Sequence, residues 1–233
     1  KHCTEVDHDS ILDHLFPTKQ QRFRQRAYYL ANITMIDQKI GEILEALDEQ
    51  GYLDNAMIIF TSDHGDCLGD HGLSQKWSGY DEVVHVPVIV WRPGTVKAGH
   101  EVSSLCQQFD ISQTLLEMAG IQIPSSFESK SVMDGLLGKL QSGRKYVFAE
   151  QGGDGNLTDA QMVTMVRSEK WKMIHYAGEK FGQLFDLEKD PLESINLWED
   201  TSYDDEKRSL HAALLDWHIQ SQYRTRDWAS DFR

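Results

Sequence analysis

One stretch constrains this chain more than any other. The apolar run Ile58-Ile59-Phe60 passes into Thr61-Ser62-Asp63-His64-Gly65-Asp66-Cys67-Leu68-Gly69-Asp70-His71-Gly72, with Lys76 just beyond. Within two residues, apolar side chains give way to glycines, carboxylates and imidazoles. Strands buried inside α/β sheets read as unbroken apolar runs, and open α/β proteins bind ligands beyond the carboxyl ends of their strands. The stretch therefore reads as a buried strand presenting a site. Asp63 and His64 stand side by side at the first positions past it, an oxygen donor and a nitrogen donor suited to a divalent cation such as calcium, manganese or zinc. The plainer alternative is a polar turn whose Asp residues cap local backbone groups.

The flanking patterns extend the α/β reading. From about Arg22 to Gln50, Leu30, Ile33, Ile36, Ile40, Ile43, Leu44 and Leu47 fall at steps of three and four, one face of a long helix closed at Gly51. Tyr28 and Asp37 on that helix read as structural. Met57 to Phe60 and Val86 to Trp91 read as strands buried on both faces, with Pro87 at the start of the second. Asp110 reads as the N-cap of a helix whose apolar face is Ile111, Leu115, Met118 and Ala119, closed by Gly120. This order predicts a mostly parallel sheet over residues 1–145. Beyond it, four strand candidates follow in succession, at Tyr146 to Glu150, Met162 to Arg167, Trp171 to Tyr176 and Gln183 to Leu187. Ser168-Glu169-Lys170 reads as a hairpin turn, and a last helix carries Leu210, Leu214 and Trp217 on one face. Residues 146–233 are thus expected to form a small antiparallel sheet with a covering helix. The His- and Asp-rich residues 1–20 have no fixed spacing and read as a lead-in segment rather than a second metal site.

Composition narrows the function classes. Asp and Glu number 37 against 23 Lys and Arg, a formal net charge of -14. Such a surface repels nucleic acid and anionic membranes, so neither is an expected partner. An anionic substrate would need a local cation, which favours a metal or a buried lysine. No apolar run approaches the roughly 20 residues of a membrane span, and no signal-peptide core follows the first residues. Cys3, Cys67 and Cys106 have neither the even count of a disulfide framework nor the spacing of a zinc ribbon. One disulfide stays open, and with it the compartment, periplasmic, secreted or cytoplasmic.

Phe60-Thr61-Ser62-Asp63-His64-Gly65, Leu68-Gly69-Asp70-His71-Gly72-Leu73, Lys76 and Val86-Pro87 closely resemble the sulfatases of the alkaline-phosphatase superfamily. Phe109-Asp110-Ile111 with Thr114-Leu115-Leu116 and Ala119-Gly120-Ile121 resembles the family's following helix, with Gln113 where a proline is usual. Met165-Val166-Arg167, Lys172, Leu184-Phe185-Asp186-Leu187, Asp190-Pro191, Glu193 and Asn196-Leu197 resemble its C-terminal subdomain. The resemblance implies an alkaline-phosphatase-like fold and hydrolysis of a sulfate ester on a small molecule or sugar. It also implies one divalent cation, Ca2+ first and Mn2+ or Mg2+ as rivals, held in part by Asp63 and His64. Lys76 would contact the sulfate, and His71 would hydrogen-bond or protonate the leaving oxygen. Without that context Lys76 reads as a solvated lysine and His71 as a loop histidine bonded to nearby backbone.

The family makes a formylglycine nucleophile from Cys or Ser in a Cys/Ser-x-Pro-x-Arg motif, and no cysteine or serine here has that context. The family's other metal-binding Asp residues also have no counterpart. The chain therefore looks like the carboxyl half of a sulfatase that needs the amino-terminal half. By itself it is expected to show no turnover and weak metal affinity, since a calcium or manganese site takes about six ligands. Cys67 reads as a passive loop side chain. Trp77 and Tyr80 read either as a sugar-binding surface or as packing, and Arg167, Trp171, His175 and Tyr176 either as a substrate border or as packing. Two alternatives stay beside the sulfatase: a phosphonate monoester or phosphodiester hydrolase of the same superfamily, and a non-catalytic binding relative. Oligomeric state is left open.

Overall fold

The computed structural model describes residues 18–139, 143–152 and 162–225, which fall into two compact units. Of the expected lead-in segment 1–20, residues 1–17, with Cys3, lie outside the described residues, and 18–20 belong instead to the start of the first helix.

The first unit ends at Val96. Helix α1 (Lys19–Glu49) starts at a capping box in which Thr18 and Gln21 satisfy each other's backbone N–H. It stops at Gln50, where Gly51 takes φ 70. The expected apolar face is split in two. Ile40, Leu44 and Leu47 are half-buried near the turn Tyr52–Asn55, whereas Leu30, Ile33, Ile36 and Ile43 face solvent and no residue of α1 is buried.

Strand β1 (Ile58–Thr61) leads into the glycine-rich loop, one-turn helix α2 (Asp81–Val84) follows, and strand β2 (Val88–Trp91) comes back alongside β1. The two strands pair antiparallel, Ile58 against Trp91 and Thr61 against Val88. The expected mostly parallel sheet is not what pairs among the described residues. A parallel return needs a crossover helix packed on the sheet, and here the connection is spent on the loop and a single helical turn. Nor is either strand buried on both faces. Phe60, Val88 and Trp91 are exposed, and Ile89 keeps 60% of its surface. Pro87 sits just before β2, where its missing N–H breaks no ladder bond.

The second unit begins at Lys97. Helix α3 (Gln108–Met118) is capped by Gln107 rather than Asp110, which is the third helical residue and reaches back to the Gln107 N–H at 2.8 Å. The expected apolar face is also revised, because the buried positions of α3 are Asp110 and Thr114 while Leu115 is exposed. Thr114 accepts from the Val132 N–H ahead of helix α4 (Met133–Leu136), and Gln113 accepts from Ser129. Gly120, at φ 68, closes α3 as expected.

Four strands then form an antiparallel meander, β3 (Val147–Gly152), β4 (Met162–Arg167), β5 (Trp171–Tyr176) and β6 (Gly182–Asp186). Their register aligns Phe148, Val166, Met173 and Leu184 in one row across the sheet. Helix α5 (Asp204–Thr225) covers that row with Leu210 and Leu214, and Trp217 stacks on Phe148 at 4.6 Å. The turn at Ser168 is held by its own hydroxyl, which accepts from Trp171 N–H at 2.9 Å. Past β6, Asn196 accepts from Leu184 N–H and donates to the Gly182 carbonyl, so the loop after Asp190-Pro191 continues the sheet edge. Glu193 in that loop turns inward and pairs with Lys172, both side chains essentially without exposure.

Candidate functional site

The site loop, residues 62–78, is built by hydrogen bonds within the first unit. Asp66 Oδ1 accepts from Leu68 N–H at 2.8 Å and Gln75 N–H at 3.0 Å, closing the loop across nine residues. Cys67 N–H donates to Gln75 O, and Gly69 N–H to Leu73 O. Helix α1 grips the loop from outside. Arg26 donates to Leu68 O and Asp70 Oδ1, Gln25 donates to Ser74, and the Arg22 stem lies where a side chain at Gly69 would sit. Gly65 is required for the same steric reason, since a Cβ there would come within 1.9 Å of the Glu82 carbonyl.

At the head of the loop, two side chains converge. Asp63 Oδ1 accepts from His64 N–H at 2.9 Å, which leaves Oδ2 3.5 Å from His64 Nε2. That backbone bond is the main cause that holds the Asp63 carboxyl below the usual carboxylate range. His64 Nδ1 lies 2.8 Å from the Gly65 carbonyl. A carbonyl can only accept, so Nδ1 carries a proton, and in the neutral imidazole Nε2 then keeps its lone pair. This is the second-partner arrangement of a metal-ligating histidine, whose other ring nitrogen donates to a backbone carbonyl or carboxylate. An anionic oxygen and a free imidazole lone pair at 3.5 Å fit two neighbouring positions on one divalent cation. Among the described residues no third His, Cys, Asp or Glu joins them, and the Asp63 side chain is 84% exposed.

The other sequence candidates have different surroundings. Lys76 is exposed, its ammonium 5.7 Å from the Trp77 ring centroid. His71 turns inward, its ring flat on Tyr80 at 3.7 Å and its Nε2 3.3 Å from Glu82 Oε2. Tyr80 therefore gives one ring face to His71, while Trp77 donates to Gln75. The Cys67 thiol is buried beside Ser78, and burial pushes it up to about 11, so it is a packing group at neutral pH. Tyr28 and Asp37 are exposed on α1. In the second unit Trp171 meets Tyr203 edge-on, His175 meets His211, Tyr176 donates to Gln183, and Arg167 stands opposite Lys172 in the ladder.

Sequence reasoning missed Arg26, Asp66 and Glu82. Asp66 sat inside the motif, and its place two residues before a glycine-containing turn was the available signal. Arg26 and Glu82 carry no local pattern, because their roles arise only from folding contacts 40 and more residues away for Arg26 and 11 away for Glu82.

A strand-end Asp-His pair followed by a glycine-tightened loop and a lysine is an arrangement able to take a divalent cation beside an anionic group. Comparison narrows it to a family. Residues 7–121 match the Sulfatase family, and residues 69–220 match the family "N-sulphoglucosamine sulphohydrolase, C-terminal". The chain belongs to the sulfatase family. It is 35% identical over 196 residues to an arylsulfatase of Clostridium perfringens, covering 82% of this chain and 40% of that protein. It is 30% identical over 206 residues to an N-acetylglucosamine-6-O-sulfatase of Bacteroides thetaiotaomicron, covering 85% of this chain and 36% of that one. The chain thus spans well under half the length of these relatives.

Among solved structures, a 2-O GAG sulfatase matches with TM-score 0.84 and 27% identity over 94% of this chain and 49% of its own. A protein solved in complex with its substrate D-glucosamine-2-N,6-O-disulfate matches with TM-score 0.74 and 28% identity, covering 85% of this chain and 41% of its own. The phosphonate monoester hydrolase of Agrobacterium radiobacter matches with TM-score 0.75 and 30% identity, covering 84% and 41%. The scaffold is accordingly the alkaline-phosphatase-like α/β fold of the sulfatases.

Proposed function

We propose that this chain supplies one wall of a composite sulfatase site, and that the amino-terminal half of the family's fold supplies the other. The observation that carries the reading is the Asp63–His64 pair, an acceptor oxygen and a lone-pair nitrogen 3.5 Å apart and open to solvent. Asp63 Oδ2 and His64 Nε2 hold two positions of a divalent cation, whose Lewis acidity would offset charge on the sulfuryl oxygens. Calcium is the first choice for the carboxylate, and the imidazole keeps manganese as the rival. Lys76 pairs its ammonium with the sulfate, and on a chain of net charge -14 such a local cation is what retains an anionic ester. The nucleophile is the family's formylglycine, carried on the other half.

The exposed apolar side chains of α1 and of β2 support the same reading. Leu30, Ile33, Ile36 and Ile89 are exposed apolar surface among the described residues. The amino-terminal half covers it and completes the parallel part of the sheet. The substrate is a sulfated small molecule or sugar, the class to which the disulfated glucosamine bound by the structural neighbour belongs.

A second reading, phosphonate monoester or phosphodiester hydrolysis, is favoured by the likeness to a phosphonate monoester hydrolase at 30% identity. The assembled enzyme assayed on an aryl sulfate, a phosphonate monoester and a phosphodiester ranks the two. A kcat/KM highest for the sulfate is expected, and one highest for either phosphorus ester would replace the proposal. An upstream half lacking a Cys/Ser-x-Pro-x-Arg motif would replace both with a non-catalytic relative.

A further inference from the structure

The short segment Tyr80 to Val84 touches the site loop twice. Through the backbone, Gly65 N–H donates to Val83 O at 2.8 Å, and the Glu82 carbonyl occupies the space of a Cβ at position 65. Gly65 in turn accepts from His64 Nδ1, so this segment backs the imidazole at the head of the loop. Through its side chains it holds the second imidazole. The His71 ring lies parallel to Tyr80 within 3°, and its Nε2 is 3.3 Å from Glu82 Oε2. That oxygen is buried and, among the described residues, meets no donor at full hydrogen-bond geometry; His71 Nε2 is the nitrogen that stands near it. A buried carboxylate oxygen is costly unless a donor meets it, and Nε2–H is the donor in reach. His71 also takes left-handed backbone at φ 54, which a non-glycine residue keeps only where its surroundings impose it.

The two nitrogens of an imidazole are not equivalent, and the partner of one decides what the other presents. We infer that Glu82 is a positioning residue that acts through His71: its carboxylate keeps the ring proton on Nε2 and leaves Nδ1 as the nitrogen offered to the bound ester. The inference deepens the sulfatase reading and, for the substrate contact, rests on it. Tyr80 sets the plane of the ring, Glu82 its direction.

Two experiments decide it. Long-range 1H–15N spectra of the 233-residue chain should show His71 protonated at Nε2, with its nitrogen shifts displaced by Glu82→Gln. A bare Nε2 with the proton on Nδ1, or shifts unmoved in Glu82→Gln, would overturn the contact whatever the activity. In the assembled enzyme, Glu82→Gln should lower kcat/KM for a sulfate ester by about 10- to 100-fold, the usual cost of losing such an orienting partner. Its effect should vanish in a His71→Asn background, asparagine being chosen because it tolerates left-handed backbone. An equal loss in both backgrounds would mean that Glu82 acts structurally and would overturn the role. An assembled enzyme that hydrolyses no sulfate ester would remove the site reading, and with it the use of Nδ1, while the spectra still decide the Glu82 contact.

Discussion

Asp110 offers the sharpest test of what holds the second unit together. Its side chain is essentially without exposure, yet each carboxylate oxygen accepts twice. Oδ1 takes the Lys130 N–H at 2.7 Å and one Arg144 N–H, and Oδ2 takes the Gln107 N–H and Arg144 Nε, both at 2.8 Å. Arg144, whose side chain is 12% exposed, also donates to Glu128 O and lies against the Phe109 ring. Asp110→Ala therefore removes the carboxylate that reaches back to the Gln107 N–H and leaves two backbone donors and a buried guanidinium without their anion. Breaking a buried ion pair from one side costs about 3–5 kcal/mol. We expect a loss of about 4 kcal/mol, and a smaller one for Asp110→Asn, which keeps an acceptor but turns an amide N–H2 toward the guanidinium. The assay is urea unfolding, with hydrogen exchange at the Val166, Met173 and Leu184 amides reporting the second unit separately. A double-mutant cycle with Arg144→Met should return a coupling of roughly 2 kcal/mol or more. A loss under 1 kcal/mol, or strictly additive variants, would refute the reasoning.

Acid should loosen α5 from its sheet. His175 on β5 and His211 on α5 meet edge-on at 5.1 Å, and burial holds both below the usual histidine range, His211 further lowered by His175 and Lys207. Their folded values lie below their unfolded ones, so this contribution to stability is complete above about pH 6.5 and is lost as pH falls through the folded values. A His211→Phe variant should flatten the fall in Tm between pH 7.5 and 5, and an unchanged fall would assign it elsewhere. Gly65→Ala should weaken divalent-cation affinity of the assembled enzyme by about 10- to 100-fold, because the Glu82 carbonyl and the Gly65 carbonyl that orients His64 cannot both stay in place. Calorimetric titration that finds the wild-type affinity would show that the loop absorbs the methyl group.

Much of this was legible before any coordinate. The succession of short strand candidates, the turn at Ser168-Glu169-Lys170 and the spacing of Leu210, Leu214 and Trp217 predict the antiparallel sheet and its helix, because those contacts are local and both partners lie in this chain. The Asp63-His64 pair was legible for the same reason, being adjacent in sequence. The pairing sense of β1 and β2 was not. Two short apolar runs read alike in either sense, and the direction depends on what fills the connection. Asp110 was misread as an N-cap because the sequence shows a good capping residue before an apolar run. It does not show that the Lys130 amide and Arg144 converge on the same carboxylate from 20 and 34 residues away. Arg26 and Glu82 were invisible on that ground as well. The apolar face of α1 was seen as a pattern, but among the described residues only Ile40, Leu44 and Leu47 are even half-buried, while Leu30, Ile33, Ile36 and Ile43 stay exposed.

The central claim is that Asp63 and His64 are two ligands in a site completed by the other half of the fold. It is tested most directly by measuring cation-dependent sulfate-ester hydrolysis with this chain alone, with the assembled enzyme, and with the assembled Asp63→Asn/His64→Ala variant. The account predicts turnover only from the assembled wild type in the presence of calcium or manganese. Hydrolysis by the 233-residue chain alone, or undiminished cation-dependent turnover by the double variant, would contradict it.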